Sequence, residues 1–293
     1  MIFIMITIFT ILLGSFIYIG NKNTHSVEIN HIKVDQKDAP SNAGTFISVL
    51  HISDMHIENI SVTPEQLYEN LKGQHIDLIA LTGDFMDRKR SIPRLIPYLQ
   101  VFSQLKPVHR AYAVFGNHDY VLKNAYFNQL KEMLNEYGVK TLQNENERII
   151  VDGKALNIIG IDDFGTNHSD LAKSYKGLEK GENLVLTHDP NIVLTMADYH
   201  FDYLLSGHFH GGQIHWPKPY HLMKMGELVR MNMVKGLHHY NGRPFYISEG
   251  LGQTGVNIRV GSRPEITIHH LPLDQQQKEN TSAQLKDATS KAG

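Results

Sequence analysis

The sequence predicts an α/β protein in which mixed β-sheets are covered by helices. Short apolar runs, which are typical of buried strands, alternate with longer segments whose apolar residues recur at the i, i+3, i+4 and i+7 spacing of a helix. The first half repeats this strand–helix order, and the second half is richer in strands. Together these patterns favour a mixed sheet system with helices packed against it.

Nine strands are predicted from the apolar runs. In chain order they cover residues 46–52, 78–81, 111–115, 147–151, 155–161, 183–186, 203–205, 245–247 and 265–269. Two helices are predicted between them from apolar positions at helical spacing. The first helix is marked by Ile92, Leu95, Ile96, Leu99 and Phe102, and the second by Phe127, Leu130, Leu134 and Tyr137.

The N-terminal segment predicts a membrane anchor. Residues 2–19 carry no charged side chain, and 18 apolar residues are about the minimum length that crosses a hydrocarbon core of roughly 30 Å. A cleaved signal peptide and a buried core helix are the alternatives. No basic residue precedes the run and no small-x-small cleavage site follows it, so an uncleaved single-pass anchor in the cell membrane is preferred. We expect the domain that follows to be extracytoplasmic, although no Lys or Arg precedes the span to set its orientation.

The chain is expected to have four parts. Residues 1–20 form the anchor, and residues 21–45 form a linker in which the alternation at residues 27–34 is typical of an edge strand. Residues 46–272 form one continuous domain. Residues 273–293 are rich in Gln, Lys, Ser, Thr and Ala, which predicts a disordered tail.

Composition narrows the kinds of site that the domain can hold. A formal net charge of −2 gives no global basic field, so specific nucleic-acid binding is not expected. The chain has no Cys, which excludes disulfides and thiolate ligands, so a bound metal needs His, Asp, Glu or Asn. Nothing in the sequence points to an obligate protein partner.

Polar blocks follow five of the predicted strands. Because ligands of open α/β sheets bind at the carboxyl ends of the strands, we expect these blocks to converge on one crevice. The blocks are residues 53–56 (Ser-Asp-Met-His), 82–88 (Thr-Gly-Asp-Phe-Met-Asp-Arg), 116–119 (Gly-Asn-His-Asp), 187–190 (Thr-His-Asp-Pro) and 206–212 (Ser-Gly-His-Phe-His-Gly-Gly).

The residue types in these blocks favour a metal site. In Asp54-x-His56 and His208-x-His210, the period-2 alternation of extended backbone places both side chains on one side. Glycines that precede ligand candidates permit tight turns. One such pair arises often by chance, and hydrogen-bonded turn residues are the alternative interpretation. Five blocks in order, each directly after an apolar run, make the metal site the stronger interpretation.

These blocks resemble the calcineurin-like metallophosphoesterases. The family pattern is D-x-H, G-D-x-x-D, G-N-H-[DE], H and G-H-x-H, and this chain carries every part of it within about residues 47–271. The stretch Gly-His-x-His-Gly-Gly-Gln-Ile and residues 250–266 are similar to the small bacterial branch of membrane or cell-envelope enzymes. The resemblance implies a four-layer αββα fold, with mixed sheets between helices.

The resemblance also implies a dinuclear metal centre with a catalytic histidine. The ligands of the first metal would be Asp54, His56, Asp84 and His210. Asp84 would bridge to a second metal, whose other ligands would be Asn117, His188 and His208. His118 would protonate the leaving oxygen or stabilise its charge. Asp87 and Asp119 would orient imidazoles, and Arg259 is a candidate phosphate contact, because Arg recognises phosphate through two parallel hydrogen bonds.

The implied function is hydrolysis of a phosphoric ester by a metal-bound hydroxide. Nitrogen and oxygen ligands without sulfur suit Mn, Fe, Zn or Co, and manganese is the first choice. Arg88 is followed by Lys89, and Asn117-His118 by Asp119, which departs from the protein Ser/Thr phosphatase pattern. The departure favours a phosphodiester or pyrophosphate of a small molecule, nucleotide sugar or lipid headgroup. The alternatives are a phosphomonoesterase or protein phosphatase of the same fold and a non-catalytic metal-binding module.

The remaining histidines are interpreted as surface or structural residues. His25, His31, His75, His109 and His200 lie in stretches without a partner block. A second set follows the metal blocks in a region rich in Met and Tyr with the single Trp216, and this region is either a lid over the substrate or a packed excursion. Its members are His215, His221, His238 and His239.

Overall fold

Nine strands lie where the apolar runs predict them, in a computed structural model that describes residues 1–34 and 45–273. A further strand lies within the alternating stretch at residues 27–34. The strands are β1 (Glu28–Lys33), β2 (Thr45–Ile52), β3 (Leu78–Thr82), β4 (Ala111–Val114), β5 (Val139–Thr141), β6 (Glu145–Val151), β7 (Lys154–Gly160), β8 (Glu182–Leu186), β9 (Tyr203–Ser206), β10 (Gly236–Tyr240), β11 (Arg243–Ile247) and β12 (Glu265–Leu273).

The two helices expected within the domain are present, α1 lies in the segment expected to be the anchor, and three further helices accompany them in the described part of the chain. The helices are α1 (Ile2–Asn23), α2 (Pro64–Leu71), α3 (Ile92–Gln104), α4 (Lys123–Glu136), α5 (Leu171–Ser174) and α6 (Glu227–Arg230). Helix α2 was not predicted, although its start carries a capping box in which Thr63 and Gln66 bond each other's backbone N–H groups. Strands β5 and β10 were also missed, because one has three residues and the other contains two adjacent histidines.

The strands form two six-stranded sheets. Both sheets are mixed, as the sequence predicts. The first sheet has the order β1-β12-β2-β3-β4-β5, with β2 to β5 parallel and β12 antiparallel to β2. The second has the order β10-β11-β9-β8-β7-β6, in which the central four strands are parallel and the two edge strands are antiparallel. The parallel centres bring the carboxyl ends of several strands to one edge of each sheet.

The alternation of side chains along each strand divides the core into layers. On β2, Val49 packs between the sheets, whereas Leu50 packs against α2, α3 and α4 on the outer face of the first sheet. On β7, Ile158 faces the first sheet, while Ile159 packs outward against a cluster that includes Leu228 of α6. Burial of each such side chain contributes about 1.5–3 kcal/mol. The result is the four-layer helix–sheet–sheet–helix order.

Helix α1 differs from the other helices in its exposure. Its apolar side chains up to residue 19 are exposed, while Gly20 and the following Thr24 are buried against the domain. Residues 35–44 of the expected linker lie outside the described residues. The tail predicted for residues 273–293 also lies outside them, apart from Leu273 in β12.

Candidate metal centre

The structure brings six of the seven expected ligands together at the carboxyl ends of β2, β3, β8 and β9. The seventh, Asn117, follows β4 next to Gly116, which lies close to Asp84 and His188. The side chains of the six and that of His118 form three sets, and within each set the donor atoms lie within 4.8 Å of one another. The first set is Asp54, His56 and His210. The second set is His56, Asp84 and His118, and the third is Asp84, His188 and His208.

Five of these residues have left-handed backbone conformations. The φ angles are 50° at Asp54, 37° at His56, 55° at Asp84, 77° at His208 and 50° at His210. A residue other than glycine costs about 1–3 kcal/mol in this region, and such strain clusters at functional sites. The loops therefore hold these side chains in directions that an unstrained turn would not give.

Two glycines make room for the carboxylates. A Cβ at Gly207 would lie 1.9 Å from Ser53 Oγ and 2.1 Å from Asp54 Oδ2. A Cβ at Gly116 would lie 2.2 Å from Asp84 Oδ1. Because no real contact is that short, the backbone reaches these carboxylates only where the side chain is absent.

The contacts of His188 create a gap that a cation would fill. Its Nδ1 donates to the Thr82 carbonyl at 2.8 Å, so Nε2 of the neutral ring carries a lone pair. This Nε2 lies 3.0 Å from Asp84 Oδ2 and 3.2 Å from Nδ1 of His208. Lone-pair atoms that converge at these distances need a proton or a positive ion between them.

Unpartnered buried atoms support the same fit to metal ions. Nε2 of His56, Oδ1 of Asn117 and Nδ1 of His210 are buried without a hydrogen-bond partner among the described residues. An unsatisfied buried polar group costs about 1–3 kcal/mol, and such groups are rare. Ligation would satisfy the first two directly, and the mixture of imidazole, amide and carboxylate donors suits first-row divalent ions.

The charges of the site match what metal binding requires. Burial alone would raise the pKa of Asp54 and Asp84, but the neighbouring imidazoles outweigh it and lower both. Burial lowers the pKa of His210 to about 3. At His188, burial lowers the pKa, but the charge and hydrogen bond of Asp84 and the charge of Asp54 together raise it well above its usual value, so a metal ion that binds here displaces a proton. The site thus holds ionised carboxylates beside imidazoles, and only deprotonated donors coordinate a metal.

Asp87 contacts two imidazoles, which is the arrangement expected for an orienting carboxylate. Its Oδ1 lies 2.9 Å from Nδ1 of His118 and 3.3 Å from Nδ1 of His56. These contacts outweigh burial and lower the pKa of Asp87, and they raise the pKa of His118 to about 9 against the effect of its burial. Glu58 accepts from the backbone N–H of Asp87 at 3.2 Å, a role that no pattern in the sequence indicates.

Asp119 does not orient an imidazole, and that expectation is wrong. Its carboxylate accepts four backbone N–H bonds that link the tips of β3 and β4, and it thereby satisfies N–H groups that are buried in these turns. Burial raises the pKa of Asp119 to about 7. The donors are Asp84 at 2.9 Å, Phe85 at 2.8 Å, Met86 at 3.3 Å and Gly116 at 2.9 Å.

The expectation that Arg259 contacts phosphate is also wrong. Its side chain is fully buried, and its guanidinium donates mainly to backbone carbonyls of the loop that follows β11. A guanidinium enclosed in this way holds the loop in place, and its Nε, which has no hydrogen-bond partner among the described residues, is buried and not open to a ligand. The main acceptors are the carbonyls of Glu249 at 2.8 Å, Gly250 at 3.0 Å, Gly252 at 2.6 Å and Arg263 at 2.8 Å.

Several other histidines have ordinary partners. His75 lies 3.0 Å from Asp77, and His200 lies 3.0 Å from Asp202. No pattern in the sequence singles out His51 and His269, which are buried between the sheets. Alternation along β2 and β12 places them there, but only the pairing of the two strands brings them together.

An open cavity of about 570 Å³ adjoins Asp87. Its described lining includes Val121 and Tyr126 and one carboxylate, that of Asp87. Four of the five other lining residues are cationic, so the residues around the cavity carry net positive charge close to the His118 imidazole that Asp87 contacts. The cationic residues are Arg88, Lys89, Arg90 and Lys123.

Comparisons with known proteins agree with this geometry. Residues 47–212 match the family model of calcineurin-like phosphoesterases. The chain is 61% identical over 270 residues to the uncharacterized metallophosphoesterase YkoQ of Bacillus subtilis (strain 168), over 90% of this chain and 100% of that one. It is 27% identical over 237 residues to the phosphodiesterase YaeI of Escherichia coli (strain K12), over 78% of this chain and 83% of that one.

A solved structure is also similar. Phosphopantetheinyl hydrolase (PptH) from Mycobacterium tuberculosis aligns with 12% identity and a TM-score of 0.44, over 71% of this chain and 91% of that one. From the family match and its relatives, the chain belongs to the calcineurin-like phosphoesterases and is a metal-dependent hydrolase of phosphoric esters.

Proposed function

We propose that this chain is a dinuclear phosphodiesterase or pyrophosphatase that acts on a small-molecule, nucleotide-sugar or lipid-headgroup substrate. The observation that carries the proposal is the position of Asp84. It belongs to two of the three sets of converging donor atoms, one with His56 and one with His188 and His208. A carboxylate shared in this way is suited to bridge two neighbouring cations and to screen their repulsion.

These sets support the ligand assignment, and Asn117 is added from the family pattern and from its unpartnered buried Oδ1. The first ion would be held by Asp54, His56, Asp84 and His210. The second would be held by Asp84, Asn117, His188 and His208. Two divalent ions held by these residues would supply positive charge to polarise a phosphoryl group and would lower the pKa of a water molecule. Manganese is our first choice of metal, since nitrogen and oxygen donors without sulfur suit it.

His118 is proposed as the residue that protonates the leaving oxygen or stabilises its charge. Its backbone N–H donates to Asp84 Oδ1 at 2.9 Å, and its Nδ1 is held by Asp87. The side chain is 33% exposed, whereas those of His56 and His188 are almost fully buried. Nε2 of His118 is therefore available to transfer a proton to an oxygen that departs from phosphorus.

The choice of a diester or pyrophosphate is supported by the surroundings of His118. The cavity next to Asp87 carries four cationic side chains, which favour a leaving group that itself bears phosphate or other negative charge. Nucleotides, sugar phosphates and lipid headgroups are of this kind. The similarity to a relative described as a phosphodiesterase supports the same choice.

Helix α1 is proposed to be a single-pass membrane anchor, with the hydrolase domain on the extracytoplasmic side. The helix has 22 residues and a mean hydropathy of 2.5, and the most apolar part is exposed along its whole length. Burial in hydrocarbon would remove this surface from water. The absence of Cys suits an extracytoplasmic domain.

The test compares two model substrates. The full chain, purified in detergent, is stripped of metal with a chelator and reloaded with Mn, Fe, Zn or Co. We expect hydrolysis of bis-p-nitrophenyl phosphate to return with metal, at a higher kcat/KM than that of p-nitrophenyl phosphate. No hydrolysis with any metal would refute the dinuclear hydrolase. A higher kcat/KM for the monoester would contradict the diesterase proposal and favour the phosphomonoesterase alternative.

A second experiment separates the enzyme from a metal-binding module. His118→Ala should lower kcat about 10²–10⁴-fold, the usual contribution of a general acid, while the metal content stays unchanged. His239→Ala, at an exposed position on β10, serves as the matched control and should retain the activity. Equal rates for the two variants would exclude the proposed role of His118.

A further inference from the structure

An exposed aromatic and basic patch follows the last ligand block. Trp216 is 71% exposed, Tyr220 is 62% exposed and Met223 is 56% exposed. Lys218 and Lys224 lie between and beside them, and residues 203–226 contain no Asp or Glu. These five residues are called the interfacial patch. Three large side chains with apolar surface are thus exposed to water within one eight-residue segment, which is typical of a site that contacts a partner or a membrane.

The last turn of α1 is fixed to the domain near this patch. The carbonyl of Gly20 accepts from the backbone N–H of Arg259 at 2.8 Å, and Nδ2 of Asn23 donates to the Arg259 carbonyl at 2.8 Å. Nδ2 of Asn21 donates to the carbonyl of Asn257 at 2.9 Å. A Cβ at Gly20 would lie 3.0 Å from the Cβ of Ile258, so the helix lies close against this loop. The helix therefore leaves the domain in a defined direction.

The same loop is joined to the start of the patch. The backbone N–H of Val260 donates to the carbonyl of Gln213 at 2.8 Å, and the backbone N–H of His215 donates to the carbonyl of Val260 at 2.7 Å. Ile214 forms a parallel bridge with Val260. The end of α1, the loop at residues 257–260 and residues 213–215 therefore lie side by side in that order. Trp216 of the patch follows His215 directly in the chain.

We propose that the interfacial patch contacts the surface of the bilayer that α1 spans. If α1 spans the bilayer, the last turn of the helix lies at the membrane–water boundary, and the patch lies beside it. Tyr and Trp are the side chains enriched at that depth, because each has an apolar ring and a polar atom. Lys218 and Lys224 place positive charge where anionic headgroups lie. The inference rests on the anchoring proposed for α1 and does not depend on the reaction.

The contact also holds the segment that carries His208 and His210 next to the bilayer. Nδ1 of His215 lies 3.0 Å from the carbonyl oxygen of Gly211, in the last ligand block. A Cβ at Gly212 would lie 2.8 Å from the Cβ of Pro219 within the patch segment. The patch and the ligand block are therefore one closely packed unit.

Trp216 is the single tryptophan of the chain, so its fluorescence reports on the patch alone. The full chain is reconstituted in vesicles of phosphatidylcholine and phosphatidylglycerol, with or without bromine atoms on the acyl chains near the headgroup. We expect the brominated lipid to reduce Trp216 emission about twofold, since an interfacial indole lies at that depth. Emission that is equal in both kinds of vesicle would overturn the proposal.

A matched variant moves the probe to the other edge of the domain. In Trp216→Phe/Val108→Trp, the single tryptophan occupies a position that is 64% exposed and precedes the amino end of β4. Its emission should be the same in both kinds of vesicle, and equal quenching of both proteins would overturn the proposal. Hydrolysis of bis-p-nitrophenyl phosphate is measured in the same vesicles. Loss of quenching with retained hydrolysis overturns the contact of the patch with the bilayer and leaves the proposed reaction intact, whereas quenching without hydrolysis refutes only the proposed reaction.

Discussion

Asp87 Oδ1 lies 2.9 Å from Nδ1 of His118, and the same oxygen lies 3.3 Å from Nδ1 of His56. One carboxylate thus holds the imidazole of a proposed metal ligand and that of the proposed acid. A proton directed to Asp87 at each Nδ1 leaves Nε2 of His56 free to bind a metal, and it leaves Nε2 of the protonated His118 ring as the atom that can give up a proton. The metal site and the proton-transfer group are therefore positioned by one side chain.

Replacement of that carboxylate should impair catalysis. Asp87→Asn keeps the size of the side chain but removes the charge and one of two equivalent acceptor oxygens. We expect kcat for bis-p-nitrophenyl phosphate to fall about 10–100-fold, as is usual when the partner of a ligand or catalytic imidazole is lost. Asp152→Asn, at an exposed hairpin turn, is the control. Wild-type kcat and metal content in Asp87→Asn would contradict the positioning role.

Much of the fold could be predicted because burial leaves a pattern in the sequence. The buried β3 is a continuous apolar run, and the polar residues that follow it are a visible boundary. The same boundary recurs after four other strands. Parallel pairing aligns three of the five strand ends in the first sheet and two in the second, and the packing of the two sheets brings both groups together. The candidate ligands could therefore be listed before the geometry was known.

The roles of Asp119 and Arg259 could not be predicted in the same way. Both side chains form hydrogen bonds with backbone groups. Because nearly every residue type has the same backbone N–H and C=O groups, the sequence does not indicate which of them are the partners. Arg259 also reaches the carbonyl of His210, 49 residues away in the chain, at 3.5 Å. Such contacts depend on loop paths that only the folded structure defines.

The close approach at Gly207 gives a prediction about metal affinity. Gly207→Ala would place a methyl group 1.9 Å from Ser53 Oγ and 2.1 Å from Asp54 Oδ2, so Asp54 must move. We expect affinity for Mn²⁺ to fall about 10–100-fold, as measured by titration of the metal-free chain. Gly73→Ala is the matched control, because a Cβ at Gly73 meets nothing within 4 Å. Equal affinity in the two variants would show that the Asp54 loop is not held by this contact.

Arg259 should matter for stability. Arg259→Met removes a buried guanidinium and leaves several buried carbonyls without a donor, at about 1–3 kcal/mol for each unsatisfied group. We expect the free energy of unfolding to fall by about 3 kcal/mol or more, as measured by urea unfolding in detergent. Arg230→Met removes an exposed ion pair with Glu227 and should change stability by less than about 1 kcal/mol. A similar small change in both variants would contradict the role assigned to Arg259.

The two histidines between the sheets should make stability depend on pH. Nε2 of His51 lies 2.8 Å from Thr82 Oγ1, and Nδ1 of His269 lies 3.0 Å from the Tyr203 hydroxyl. Burial lowers the pKa of His51 to about 3 and that of His269 well below its usual value. The unfolded chain therefore binds protons below about pH 6.5 that the folded chain does not bind, so stability is present above that pH and is lost as the pH falls.

His269→Gln isolates one of these two groups. From about pH 7.5 to about pH 5.5, each buried neutral histidine should cost about 1 kcal/mol of unfolding free energy, so the variant should lose about 1 kcal/mol less than the wild type. Burial raises the pKa of nearby Glu265 to about 7, which acts in the opposite direction, because stability from its protonated form is lost as the pH rises through that value. Glu265 is present in both proteins, so its effect cancels in the difference. His200→Gln, an exposed control, should follow the wild type. Parallel pH profiles for His269→Gln and the wild type would mean that His269 does not remain neutral in the folded chain.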